Sequence, residues 1–236
     1  MSDSMISRLS VSETPQPARR STDAVYAQLK QHILDNRYPP GAQILESEIA
    51  AELDASRTPV REAFVRLQQE GLLEIVPRHG VRISALSPGD MREIYEVLMS
   101  LEPTAVELLA RRRPDRAELA GLIASCDAME AALAGAADLQ AWAAADESFH
   151  LNLARLCGNK RLAGMIMQVW DQAHRARMFT LSLRPLPVQS TTEHRAVVEA
   201  ILAGDVERAR EIYHEHRKRG GLELTTIIER HGIQRL

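Results

Sequence analysis

A chain of 236 residues, 45% hydrophobic and 26% charged, has the balance of a soluble globular protein and the length for one large domain or two ordinary ones. Aromatic residues make up only 4%, while Ala, Leu, Glu and Arg abound, which favours helix over sheet. The net charge of −3 excludes a globally basic nucleic-acid binder, so any such affinity has to come from a local patch.

No apolar run approaches the ~20 residues of a membrane span. Met1 to Arg20 is polar and lacks the apolar core of a signal peptide, so residues 1–20 read as a flexible N-terminal arm. Two cysteines, Cys126 and Cys157, are too few for a disulfide framework. A reduced, cytoplasmic chain with no membrane partner is the expectation.

Ser21-Thr22-Asp23 offers caps for a first helix, Ala24 to Asn36, whose Val25, Leu29 and Ile33 share one face. Tyr38-Pro39-Pro40-Gly41 breaks it. A short second helix comes next, with Leu45, Ile49 and Leu53 as its stripe. After the turn Asp54-Ala55-Ser56, a third opens near Arg57-Thr58-Pro59 and runs to Glu70. Pro59 is tolerated there because a first-turn N–H has no intrahelical partner. Val60, Phe64 and Leu67 face inward, which leaves Arg57, Thr58 and Arg61 at the exposed N-terminal end. That is the end a recognition helix presents to the major groove, where Arg reads guanine and the helix terminus attracts phosphate. Past Gly71 the period changes. Leu73, Ile75, Val81 and Ile83 mark two short strands around Pro77-Arg78-His79-Gly80, a wing whose basic tip, Arg78, suits the minor groove or backbone. From Arg57 to Arg82 five arginines stand against three glutamates, which supplies the local patch. Helical periodicity by itself also fits a protein-interaction module.

Leu86-Ser87-Pro88-Gly89-Asp90 is a linker between a first domain, residues 21–86, and a second, residues 87–236. The second reads as about six helices, roughly 89–112, 115–134, 138–157, 160–182, 187–203 and 205–231. Pro114, Gly135, Cys157-Gly158-Asn159, Pro185 with Pro187, and Gly204-Asp205 separate them. The fold class is therefore mainly α: a winged helix-turn-helix joined to an antiparallel helical bundle whose interior suits a ligand.

Polar residues on apolar stripes are the informative ones. Trp142, Phe149 and Leu153 define an inward face that Asp146 and His150 share, four residues apart. His194 heads a stripe with Val197, Val198 and Ile201. Val206, Ala209 and Tyr213 mark another, which His216 extends, while His214 falls about 200° away on the wet face. One carboxylate and three imidazoles from three helices form a metal constellation suited to zinc, nickel, copper or iron. The competing reading makes each histidine a separately hydrogen-bonded core residue.

The run Leu45-Glu46-Ser47-Glu48-Ile49-Ala50, then Ala55-Ser56-Arg57-Thr58-Pro59-Val60-Arg61-Glu62-Ala63, Leu67 and Glu70-Gly71-Leu72 closely resembles the GntR family of bacterial regulators. The resemblance implies DNA contacts from Ser56, Arg57, Thr58 and Arg61, with Gly80 in the wing. Ser47 departs from the pattern, since many relatives carry Arg there. Asp146-x-x-Phe149-His150, Glu193-His194 with Ala200-Ile201 and Gly204-Asp205, and His216 resemble the metal-binding FCD domain of the FadR subfamily, as does the opening Asp90 to Val97 with Leu101-Glu102. By resemblance, Asp146, His150, His194 and His216 are the metal ligands, with zinc the first expectation and nickel or another divalent ion compatible. The same likeness implies a homodimer on a palindromic double-stranded DNA operator and a small-molecule effector, an organic acid. Leu98 stands where relatives often carry an arginine facing the effector, which leaves the metal, or Arg175 and Arg177, as candidate carboxylate anchors; the competing readings are that both arginines lie on a solvated face and that the effector is less acidic or more apolar. The competing functions are the same regulator with a metal-free pocket and, remotely, a metal-dependent hydrolase, which no nucleophile or paired-base motif supports.

Overall fold

The computed structural model describes residues 20–233; the expected arm lies outside the described residues except for Arg20. The first domain is α1 (Thr22–Leu34), β1 (Gln43–Ile44), α2 (Glu46–Glu52), α3 (Arg57–Gln69), β2 (Leu73–Val76) and β3 (Gly80–Ile83). Ser21 caps α1 by accepting from the Ala24 amide. Val25, Leu29 and Ile33 bury against Ile49, Leu53, Val60, Phe64 and Leu67 to close a small core. Two corrections concern α2 and the sheet. Leu45 is not part of the α2 stripe. It is the cap residue, 45% exposed. The wing has three strands rather than two, because Gln43-Ile44 pairs antiparallel with Arg82-Val81 and puts β3 in the centre. Gly80 makes that pairing possible. Its φ is +79°, and a Cβ there would meet the Ile44 carbonyl oxygen at 2.1 Å.

The second domain is entirely helical: α4 (Pro88–Arg111), α5 (Ala120–Leu133), α6 (Leu139–Leu156), α7 (Lys160–Phe179), α8 (Val188–Ala203) and α9 (Val206–Arg230), with a 3₁₀ turn at Leu181–Leu183. Ser87, Asp138, Asn159 and Asp205 cap α4, α6, α7 and α9. The second helix of this domain begins later than the expected 115, since residues 116–119 form a turn. The main core runs from Val106 and Leu109 of α4 through Leu122, Phe149, Leu153 and Val198 to Tyr213 of α9. A second cluster joins Met91, Tyr95 and Leu98 of α4 to Ala173, Leu224 and Ile228. Two glycines inside α9 weaken a helix by roughly 0.5–1 kcal/mol each. Gly221 uses that freedom for close packing: a Cβ there would stand 2.8 Å from the Tyr95 ring.

Cys126 and Cys157 are both buried and free. Burial pushes the Cys126 thiol up to about 12. A thiol-specific disulfide reagent at neutral pH is therefore expected to leave Cys126 unmodified in the folded protein and to modify it promptly in denaturant. Rapid native labelling of Cys126 would show that α5 opens.

Helix α7 joins the two domains. Lys30 of α1 lies 2.5 Å from Asp171 and 2.8 Å from Glu70. Gln172 donates to the Glu70 carbonyl at 3.2 Å, Asn36 donates to the Arg175 carbonyl at 3.2 Å, and Arg175 donates to the Ser84 carbonyl. One face of α7 is thus fastened to the winged domain through backbone carbonyls and a partly buried ion pair.

Candidate metal centre and nucleic-acid interface

Asp146 and His150 stand one turn apart on α6, His194 on α8 and His216 on α9, and all four are buried. One ring nitrogen of each histidine lies within 4.8 Å of the others. Nε2 of His150 and Nε2 of His194 are 3.3 Å apart. Asp146 Oδ1 is 3.6 Å from the first and 3.7 Å from the second. Arg177 of α7 donates to Asp146 Oδ2, whereas Oδ1 is buried with no hydrogen-bond partner among the described residues. A buried carboxylate oxygen left this way is unfavourable unless a cation meets it.

The far side of each ring decides whether the inner nitrogen can be a ligand. His194 Nδ1 is 2.7 Å from the Ser190 carbonyl, which only accepts, so the proton sits on Nδ1 and the lone pair on Nε2. His216 Nδ1 donates to Glu193 Oε2 at 2.8 Å with the same result. Burial by itself raises Glu193, but the hydrogen bonds from His216 and Arg219 outweigh it and pull the carboxyl down to about 2. Burial takes His194 down to about 3, so its imidazole is neutral. His150 differs. Its Nδ1 is 2.7 Å from Tyr213 Oη and 3.0 Å from Arg217 Nη2. Arginine only donates, so ligation through Nε2 requires the ring proton on Nδ1, accepted by Tyr213 Oη. Glu102, 1% exposed, holds Arg217 by accepting from both Nε and Nη2. Three neutral imidazoles and one carboxylate fit a divalent transition metal.

A cavity of about 490 Å³ opens beside His216, walled by Trp142, Leu181, Arg177, Arg184 and Arg219. Of the two arginines expected as carboxylate anchors, Arg177 lines this cavity and Arg175 does not. Residues two apart on a helix project about 200° from each other, and Arg175 is turned toward Ser84 and the winged domain. His214 is half-buried, on a different side of α9 from the buried His216. Leu98 is fully buried in the cluster under Tyr95 rather than facing the cavity. Sequence reasoning gave no site role to Arg184, Arg217 or Arg219, nor to Tyr213, Glu102 and Glu193, although the first of these three stood on an inward stripe and the other two in the FCD resemblance. Glu102 had a signal, since it lies on the buried stripe of Leu98 and Val106, four residues from each.

In the winged domain Arg57 and Thr58 are exposed at the start of α3 and Ser56 is its half-buried cap residue, whose side chain makes no capping bond. Arg61 is exposed and pairs with Glu46 of α2 at 3.0 Å. An exposed pair is worth about 0–1 kcal/mol, so Arg61 can leave Glu46 at little cost. Arg78, φ +67°, sits at the wing tip next to Gly80.

Residues 21–83 match the family of bacterial regulatory proteins named gntR, and residues 93–219 match the FCD domain. The chain is 48% identical over 133 residues, 55% of its length and 77% of the relative's, to an uncharacterised HTH-type transcriptional regulator in the TAR-I ttuE-ttuC' intergenic region of Agrobacterium vitis. It is 34% identical, over 78% of this chain and 80% of the other, to a "Probable D-xylose utilization operon transcriptional repressor" of Paenarthrobacter nicotinovorans. Its fold is similar to that of E. coli McbR/YncC, with a TM-score of 0.77 at 22% identity, over 87% of this chain and 97% of the other.

Fold and site together define a DNA-binding transcription regulator with a helical sensor domain. The chain belongs to the gntR family, in its FCD-containing form. The family's members are transcriptional regulators and not enzymes. Among the described residues no helix is long and apolar enough to cross a membrane.

Proposed function

We propose that this regulator pairs as a cytoplasmic homodimer, binds a palindromic operator through Ser56, Arg57, Thr58, Arg61, Arg78 and Gly80, and releases or engages it when a small organic acid occupies a metal-dependent site. The observation that carries the sensor reading is the buried trio His150, His194 and His216 beside the unpartnered Oδ1 of Asp146. Asp146, His150, His194 and His216 would hold the ion, zinc in the first instance, with nickel or another divalent ion compatible. A bound ion would supply a Lewis-acid position for an effector oxygen. Arg177 neutralises Asp146, Ser190 and Glu193 fix two rings by their Nδ1 protons, and Trp142 and Leu181 limit water in the cavity.

Helix α7 is the element that connects sensing to DNA. Arg177 on one face touches Asp146, and Arg175 on the other touches the Ser84 carbonyl, just after β3. A small rotation of α7 therefore reaches both. A coupling of about 1–3 kcal/mol gives a 5–150-fold change in operator affinity.

The DNA half of the reading is tested by selecting duplexes from a random pool with the full-length protein. The expected product is an inverted repeat whose half-sites lie on one face of the duplex. Against the selected duplex, Arg57→Ala is expected to lose roughly 1–3 kcal/mol of specific binding, read by fluorescence anisotropy, with the dimer intact by sedimentation. Unchanged affinity would remove Arg57 from the interface, and a selected site with no symmetry would remove the paired-half-site arrangement.

A further inference from the structure

The cavity beside the histidines is rich in arginine, and the arginines are not equivalent. Arg177 is matched by Asp146, Arg217 by Glu102, and Arg219 by Glu193 at 2.5 Å. Arg184 has no such match. Among the described residues its side chain makes no hydrogen bond and no ion pair, and its Nε and Nη2 are both closed off from solvent. The residue is half-buried overall, with its remaining surface on the cavity and on a narrow crevice that reaches Asp146 and Arg177. A desolvated guanidinium without a partner is unfavourable, and Nη1, the nitrogen not closed off in this way, is the one a carboxylate in the cavity would meet.

The backbone keeps Arg184 in place. It closes the 3₁₀ turn after α7 in an extended conformation, φ −87° and ψ 150°, which is the region that a succeeding proline enforces. Pro185 and Pro187 stiffen the rest of the connection to α8. The charge is therefore presented by a pre-set junction and not by a loose loop. Burial also lowers the guanidinium from its ordinary range, and the more distant charges of Glu223 and Asp146 do not make up the difference.

We propose that Arg184 forms an anion subsite for a second carboxylate of the effector, so that the acid sensed is a short dicarboxylate with one end at the histidine centre and the other on Arg184. This rests on the reading of the cavity as the effector site. His216, at the edge of the histidine centre, and Arg184 line one cavity of about 490 Å³, a size that suits a small molecule, and Leu139, Trp142 and Leu181 give it an apolar wall for the carbon chain. The three neighbouring arginines do not compete, because each is already neutralised.

The test is calorimetric titration of the zinc-loaded full-length protein with succinate and malate, and with butyrate and 3-hydroxybutyrate as matched acids carrying one carboxylate. Wild type is expected to favour each dicarboxylate over its match by about tenfold or more. In Arg184→Met the dicarboxylates are expected to weaken by about ten- to a hundredfold, down to the level of the monocarboxylates. The monocarboxylates and the zinc content stay unchanged, and Arg184→Lys recovers part of the preference. Removing an unpartnered buried charge leaves the melting temperature equal or higher. Equal binding of both acid classes by wild type, or an Arg184→Met variant that retains the preference, overturns the subsite and leaves the metal centre standing. So does zinc-loaded wild type that binds none of the four. Dicarboxylate binding that depends on Arg184 in protein that takes up no zinc keeps the subsite and overturns the metal reading instead.

Discussion

Protein prepared without chelator is expected to contain about one divalent transition-metal ion per chain, and His150→Ala and Asp146→Ala to contain far less. The sign comes from the protonation states already imposed by the fold. His194, pulled down to about 3 by burial, and His216, whose Nδ1 proton is fixed by Glu193, offer lone pairs at neutral pH without displacing a proton. Burial on its own would raise Asp146, but the Arg177 charge, together with His150 and His194, outweighs it and holds the carboxyl well below the usual range, so it is ionised. An ion at 100 times its Kd stabilises the folded state by about 2.7 kcal/mol. For a chain of this size, chelation then lowers Tm by on the order of 5–10 °C. Elemental analysis and thermal denaturation, each with and without chelator, check both numbers. A wild type with no metal and a Tm indifferent to chelator would sink the metal-dependent reading and leave a regulator with a hydrogen-bonding, metal-free cavity. The variants separate the two further: in a metal-free cavity, His150→Ala costs packing whether or not chelator is present, whereas in a metal centre most of its effect disappears once wild type is stripped.

The periodicities that laid out six helices in the second domain worked because each helix is amphipathic and ends at a residue with a mechanical reason to end it: Gly204 takes φ +68° to stop α8, and Asp205 caps α9. The same logic put Asp146, His150, His194 and His216 on inward faces, and the fold buries all four side by side. What periodicity could not resolve is a helix buried on both sides. Helix α7 has Arg175 toward the winged domain and Arg177 toward the cavity, and a stripe argument that knows only inside and outside treats the two alike. Strand β1 escaped for a different reason. Two residues, Gln43-Ile44, carry no alternation, and their pairing with β3 is a tertiary event. Arg184 escaped because it lies between a 3₁₀ turn and two prolines, where local sequence says only that the chain is not helical.

Glu102→Ala is expected to destabilise the helical domain by about 3–5 kcal/mol, the largest single effect on stability foreseen for this protein. Glu102 and Arg217 are 1% and 2% exposed, and the carboxylate accepts from both Nε and Nη2 of the guanidinium. Alanine leaves Arg217 charged in the core with no carboxylate partner among the described residues, beside His150 Nδ1 and the Tyr213 ring. For a chain of this length the loss corresponds to a Tm lower by roughly 6–20 °C. The double variant Glu102→Leu with Arg217→Met is expected to recover most of it, because a buried pair is worth little against an apolar pair of similar volume, whereas half a pair is expensive. Urea denaturation of Glu102→Leu, Arg217→Met and the double, beside wild type, gives the coupling energy directly. The pair also bears on the metal centre. With Arg217 gone, His150 Nδ1 faces only Tyr213 Oη, so its proton settles on Nδ1 and Nε2 becomes a better ligand. The double variant should therefore hold zinc at least as firmly as wild type while Glu102→Ala holds it less firmly. A double variant as unstable as the single would mean that Glu102 and Arg217 serve packing at the α4–α9 contact and not each other's charge.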